Sequence, residues 1–526
     1  MAHPVNEYHD IQGILCSGYG SLEEACFLLL RVADPAEAKA WLAAVVEEPG
    51  DEKLPYSVTH AGHLESHQKQ ALQVAFTAQG LRKLGVPEDL LKEGSNHAFS
   101  REFYLGMAAE EPDTEGRSRR LGDIGKNAPA NWAWGAPAQT PDVIVMLYAE
   151  ANGLTAFQQM VIEDLALGFE VILVLGTVKA TAEGNTRREP FGFVDGISQP
   201  EIDWDARREP GTRADLEYGN LISAGEFLLG YQNEYGLYTQ RPLLDPTRDP
   251  ENILAAAEDN PCKRDLGRNG TYLVFRHLEQ DVSGFWRFVD RRSPGDGGVG
   301  LAEAMVGRRL TTGDPLIAAS RADIRGVSGY ADDIRQNGFT YETDPNGLSC
   351  PFGAHIRRAN PRTSDMPGGR QGFLSWLLRT IGLKHAGPRD DLISSSRFHR
   401  IIRRGRPYGA LMDRETALQD DDPGSTSGIY FISLNANISR QFEFIQNAWI
   451  VNTKFNGMDG ETDPLLGNRV PFPGDHPTDA FTLPQPSGPT RRIAGLPRFV
   501  AVRGGAYFFL PSLRALRFFA RQTAKS

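Results

Sequence analysis

The hydrophobic pattern of the N-terminal region limits the fold more than any other feature of this sequence. Ala25 to Val32 (ACFLLLRV) is a continuous apolar run of strand length. Asp34-Pro35 then supplies a helix N-cap and a proline suited to the first helical position, ahead of the helix formers of residues 36–46. Ala71 to Thr77 (ALQVAFT) alternates in part and reads as a strand. After an irregular, Gly-, Pro- and charge-rich excursion over 90–141, Asp142 to Tyr148 (DVIVMLY) reads as a strand, Thr155 to Leu167 as a helix and Phe169 to Leu175 (FEVILVL) as a strand. Strand–helix–strand, insertion, strand–helix–strand is the order of a ferredoxin-like unit. It predicts an antiparallel sheet with helices on one face.

The second half repeats the theme. Thr271 to Arg276 reads as a strand, Val282 to Arg291 as a helix and Gly428 to Leu434 as a strand, with Ser439 as the N-cap of a helix reaching about Val451. Arg498 to Val502 and Ala506 to Leu510 read as a hairpin around Gly504-Gly505. The expected class is α+β, two related ferredoxin-like modules over 1–218 and 219–526, joined by a connecting region at 203–268. The acidic run Asp420-Asp421-Asp422 reads as a solvated loop.

Composition narrows the function. The 526 residues suffice for more than one core, and the formal charge of -11, without a long basic tract, disfavours nucleic acid as a partner. Cys16, Cys26, Cys262 and Cys350 lack the spacing of a zinc site or a disulfide scaffold. The start, MAHPVNEYHD, has neither the basic nor the apolar part of a secretory signal, and runs such as Phe27 to Leu30 are too short to span a bilayer. The expectation is a cytoplasmic protein with no membrane partner.

Three segments carry candidate chemistry. In SCPFGAHIRRANPR (349–362), His355 follows small and apolar residues and precedes Arg357, Arg358 and Arg362. An imidazole on an apolar wall beside guanidiniums suits a cofactor with an apolar face and anionic edges, as haem has. A structural histidine beside a basic patch is the commoner use of the same residues. In EPFGFVDGISQP (189–200), Asp195 is the carboxylate of a glycine-flanked loop and could move protons in a cavity, or simply make an Asp-Gly turn. In IIRRGRPYG (401–409), Arg403 could stabilise a developing anion or belong to a solvated basic turn.

Taken together and in this order, the segments become specific. GFVDG at 192–196 resembles the GxxDG motif of the dye-decolourising haem peroxidases, CPFGAHIRRANPR resembles their proximal-ligand segment, and IIRRGRPYG their distal-arginine segment. GTYLVFRHLEQDVSGFW (270–286), SRQFEFIQNAWIVN (439–452) and FVAVRGGAYFFLPSL (499–513) resemble further elements of that family. The resemblance implies a pair of ferredoxin-like modules of the dimeric α/β-barrel type, with one haem b per chain in the second. It implies His355 as the iron ligand, Asp195 and Arg403 as the distal pair, Arg362 near a propionate, and Ile429 and Phe431 narrowing the distal pocket. The implied activity reduces hydrogen peroxide and oxidises bulky dyes or phenols by one-electron steps.

If such reductants stay outside, electrons would enter through surface aromatics, Trp449 foremost, then Tyr408 and Tyr430. Two departures from the family stand out. Ala506 occupies the place where many members carry a glutamate that can hydrogen-bond the proximal imidazole. The 48 positions from His355 to Arg403 include an insertion at 363–397 with an apolar stretch from Phe373 to Leu378, suited to a contact in a homo-oligomer. Two other classes compete: a haem-handling protein with incidental peroxidase activity, and a cofactor-free assembly module.

Overall fold

The computed structural model describes residues 3–49, 53–63, 68–92, 97–109, 116–178, 188–208, 219–319, 331–362, 396–419, 426–471 and 476–522. The acidic run 420–422 and nearly all of the 363–397 insertion lie outside the described residues.

In the first half, strands β1 (Glu24–Val32), β2 (Gln70–Phe76), β3 (Val143–Ala149) and β4 (Phe169–Gly176) alternate with helices α1 (Pro35–Val45) and α2 (Leu154–Leu165). Asp34 caps α1, its Oδ1 accepting from the Ala36 and Glu37 N–H groups at 2.7 and 3.3 Å, with Pro35 at the first helical position. The second half supplies β5 (Thr271–Gln280), α3 (Val282–Arg292), the one-turn α4 (His355–Ala359), β6 (Ile402–Arg403), β7 (Arg406–Tyr408), β8 (Ser427–Asn435), β9 (Val500–Leu510) and α5 (Leu513–Arg521).

These nine strands form one antiparallel sheet in the order β6-β8-β5-β9-β2-β3-β1-β4, with β7 also paired to β8. The first four strands lie in the order β2-β3-β1-β4. In the second half, with β6 and β7 counted as one interrupted strand because both pair with β8, the sequence of strands second, third, first, fourth recurs as β6-β8-β5-β9. The two sets meet where Phe509 of β9 pairs with Phe76 of β2.

Both faces of the sheet are covered, which is why β1 reads as a continuous apolar run. Cys26, Leu28 and Leu30 join one buried cluster with Leu42 of α1, Val161 of α2 and Leu516 of α5. Ala25, Phe27 and Leu29 join another, closed by loops and a short 3-10 turn carrying Ile11, Ile14 and Phe227. Each such fully buried leucine or phenylalanine contributes roughly 1.5–3 kcal/mol over an exposed position. The irregular 90–141 region is stitched to the sheet and to the helical turns that follow β8 by buried ion pairs. Arg276 of β5 grips Asp123 at 2.7 and 2.6 Å, and Arg117 grips Glu443 at 2.9 Å through both carboxylate oxygens.

Two local expectations are corrected. Residues 500–510 form one strand, not a hairpin, with a bulge between Val502 and Gly504. The glycines serve close approach rather than a turn: a Cβ on Gly504 would lie 2.6 Å from the Trp134 indole nitrogen. The helix expected from Ser439 consists of wide π-type turns over Ser439–Glu443 and Ile445–Ile450. Asn437, not Ser439, caps it by accepting from the Arg440 N–H at 2.9 Å. Among the described residues no helix is long and apolar enough to cross a membrane.

Candidate active site

A cavity of about 290 Å³ opens beside β5 and β8, and His355, Asp195 and Arg403 all line it. The strand period explains one wall. Ile429 and Phe431 of β8 line the cavity, while the intervening Tyr430 and Ile432 point into the buried cluster on the other face.

His355 opens α4 and presents its ring to the cavity. Its Nδ1–H donates to Asp463 Oδ2 at 2.9 Å, leaving Nε2 as the nitrogen with a free lone pair. Asp463 is itself fixed: its side chain is fully buried, and its other oxygen accepts from the Leu465 and Leu466 N–H groups at 2.9 and 2.8 Å. Burial pushes the His355 imidazole down, but the Asp463 carboxylate more than offsets this and leaves it above its ordinary value. Burial likewise pushes the Asp463 carboxyl up, and His355 and Arg358 outweigh it, holding it below the usual carboxylate range.

The hydrogen-bond acceptor that Ala506 does not provide therefore comes from Asp463, 108 positions along the chain. Ala506 of β9 pairs with Phe275 of β5 and packs in the core beside it, away from His355. Of the arginines after His355, Arg357 and Arg358 turn into the protein. Arg357 bonds Asp344, and Arg358 bonds the Trp449 and Glu461 carbonyls. Arg362, in the left-handed region at φ 57°, lines the cavity while its Nη1 donates to the Asn337 and Phe339 carbonyls.

The Asp195 loop needs both of its glycines, since Gly192 and Gly196 sit at φ 97° and 80°. Glu189 shapes it from below, its two oxygens accepting from the Phe191 N–H, the Phe193 N–H and Gln280 Nε2 at 3.0, 2.9 and 2.8 Å. Arg403 of β6 reaches Asp195 with Nη1 at 3.3 Å, and its backbone N–H donates to Gln199 Oε1 at 2.9 Å. Gln199 thus locks the strand of the arginine to the loop of the aspartate. Both members of this pair remain partly exposed to the cavity.

Trp449 is not at the surface. It is 6% exposed, lines the cavity, and packs edge-on against His399 and Phe444. Tyr408 and Tyr430 are also buried, stacked on each other at 4.5 Å across β7 and β8. Helical or strand spacing alone does not separate an exposed aromatic from a cavity wall.

The sequence reading also missed Asp463, Glu189, Gln199 and Arg308. The Asp-Pro turn at 463–464 and the Glu four residues before Phe193 were the only local signals. Arg308 donates to the Gly313 carbonyl and to Ser198 Oγ, both at 2.7 Å. Burial pushes its guanidinium down to about 10, and the nearby Arg362 and Arg403 charges add to the effect. Four guanidiniums, of Arg308, Arg362, Arg400 and Arg403, line this largely apolar cavity beside the carboxyl groups of Asp195 and Glu189, and their excess of positive charge suits a flat apolar group with anionic edges. The residues present therefore fit haem: a histidine lone pair, apolar walls and a cationic rim.

Glu189 titrates where it can be tested. Burial pushes its carboxyl up to about 7, with its hydrogen bonds opposing and Asp195 adding to the rise. A raised carboxyl keeps its proton longer folded than unfolded. Its contribution is therefore full below the unfolded value near 4.5 and is lost as pH rises through about 7. The stability of the native protein relative to Glu189→Gln should fall between about pH 5 and about pH 8. Thermal midpoints of the two proteins that ran parallel across this window would show that Glu189 does not titrate there.

No family model matches the chain. It is 27% identical to a dye-decolorizing peroxidase of Mycetinis scorodonius, over 97% of this chain and 86% of that protein. The fold matches a fungal DyP-type peroxidase of Auricularia auricula-judae, with TM-score 0.68, 23% identity and coverage of 98% and 99%. It also matches a dye-decolorizing peroxidase solved in complex with 2,6-dimethoxyphenol, with TM-score 0.67, 22% identity and coverage of 98% and 100%. Relatives that align from end to end, a shared mixed helix and antiparallel-sheet fold, and a cavity whose side chains fit haem point the same way: over nearly its whole length this chain is similar to peroxidases of the dye-decolourising type.

Proposed function

We propose that the cavity holds one haem b per chain, and that hydrogen peroxide is reduced there while phenols or dyes are oxidised in one-electron steps. The observation that carries this reading is the convergence on one apolar cavity of a carboxylate-held imidazole and an Arg–Asp pair. His355 would hold the iron through Nε2, and Arg362 and Arg308 would face the propionates. When bound, the haem supplies the redox chemistry of O–O cleavage, which no side chain here can perform.

The protein's own groups manage protons and charge. Asp195 takes the proton from the near oxygen of hydrogen peroxide and returns it to the far oxygen, which leaves as water. Arg403, a permanent cation beside Asp195, stabilises the negative charge that gathers on the departing oxygen. Ile429, Phe431 and Leu278 keep the surroundings apolar, which strengthens both interactions. In total, one peroxide and two reductant molecules give two waters and two one-electron-oxidised products.

The recurrence of one strand order in both halves of the sheet supports reading each half as a ferredoxin-like module, divided near 218/219. The decisive experiment is a visible spectrum of the purified protein, then turnover of 2,6-dimethoxyphenol with hydrogen peroxide at acidic pH. A Soret band and peroxide-dependent oxidation are expected. A coloured protein without turnover would favour the haem-handling class, and a colourless one that takes up no added haem the assembly module.

A further inference from the structure

Outside the haem cavity, three side chains with metal-ligating atoms converge on one spot: Glu48, just beyond α1, and His60 and His63 of the turn that precedes β2. None of the three lines the cavity. His60 Nε2 lies 3.3 Å and His63 Nε2 3.5 Å from the same oxygen, Glu48 Oε1. Those separations are long for charge-assisted hydrogen bonds, which run about 2.7–2.9 Å. They match the edge of a coordination tetrahedron instead, because metal–ligand bonds of about 2.0–2.2 Å place neighbouring donor atoms about 3.3–3.6 Å apart.

We propose that Glu48, His60 and His63 form a second metal site, binding a zinc-class divalent transition ion with water completing the shell. Two imidazoles and one carboxylate suit zinc, copper(II) or nickel(II) far better than the hard cations magnesium or calcium. The cysteine spacing disfavours only a thiolate zinc site and does not bear on this one.

The surroundings are built for a ligand pair. His60 is 4% exposed, and its strand bridge to Gln12 and the packing of its ring against His9, at 4.9 Å, hold it in place. Its ring stacks on that of His63 at 3.5 Å, so two charged imidazoles would repel. The stacked rings must splay for both lone pairs to meet one ion. His63, half-buried at the end of its turn, is the partner placed to swing. The bound ion would tie the chain after α1 to the turn before β2 and so clasp the first half of the sheet.

The holoprotein, dialysed against a chelator that leaves haem iron in place, is titrated with zinc chloride by calorimetry, with elemental analysis of the product. One zinc per chain beyond the iron is expected. Glu48→Gln and His63→Ala should each weaken binding at least about 10-fold, the lower end of what losing even a supporting partner costs. The unchanged Soret band and helical circular dichroism of His63→Ala show that it has folded, so loss of zinc reports the ligand. Copper(II) gives a second readout: its paramagnetic resonance should show two coupled nitrogens in the native protein and fewer in His63→Ala. No zinc uptake at micromolar concentration, or equal uptake by His63→Ala and the native protein, overturns the proposal.

Discussion

Replacing His355 by alanine is expected to yield a folded protein that retains less than about a tenth of the native haem, since losing even a partner of the ligand costs about 10–100-fold in affinity. The imidazole is the group whose lone pair faces the cavity while its other nitrogen is committed to Asp463. Folding should survive, because the ring bears on a cavity and the sheet core lies elsewhere. The ratio of Soret to protein absorbance measures the loss, and unchanged loading with an unchanged spectrum would sink the ligand assignment. Asp463→Asn should fall between the two proteins. An amide can keep one contact, but it removes the negative charge that makes the imidazole a stronger donor to iron. In that variant the buried Leu465 and Leu466 N–H groups keep an acceptor only if the amide oxygen faces them and the amide nitrogen turns toward His355. That orientation sets a donor against the Nδ1–H and disturbs the ring.

Arg403→Leu is expected to slow the reaction with peroxide by about 10²–10³-fold, the usual cost of removing one preorganised donor from a developing anion. The guanidinium sits 3.3 Å from Asp195 on the short strand β6, and Leu leaves the strand pairing and the backbone bond to Gln199 in place. Haem loading should therefore stay close to native while the rate falls, which separates this variant from His355→Ala. Arg403→Lys should recover part of the rate, since it keeps a charge but loses the planar fork. Stopped-flow mixing with excess peroxide reads the step directly. A native rate in Arg403→Leu would place the anion's partner elsewhere.

Much of the fold was legible in the sequence, and the reason is visible in particular segments. The run ACFLLLRV, the Asp34-Pro35 cap and the alternation of DVIVMLY with its helix are local signals, and local signals survive whatever the rest of the chain does. Gly504-Gly505 was misread because a glycine pair signals either a turn or a close approach, and only Trp134, arriving from 370 residues away, decides which. The surface aromatics failed for a related reason. Trp449, Tyr408 and Tyr430 carry no local mark of which side faces a cavity or a second tyrosine.

The site divides the same way. His355, Asp195 and Arg403 stood out through motifs that resemble those of a family, each within about a dozen residues, and the structure gathers them around one cavity. Asp463, Arg308 and Gln199 had no such motif, because their importance lies in what they touch: an imidazole, a cationic rim and a backbone N–H. By itself the sequence determined which segments are strands and helices and which three side chains are candidates for chemistry, since periodicity and motif are properties of neighbours along the chain. Only the tertiary structure decided which carboxylate orients His355 and which aromatics are buried. It also brought Glu48 within bonding range of His60 and His63. Those contacts join residues up to hundreds of positions apart, and chain folding sets their distances.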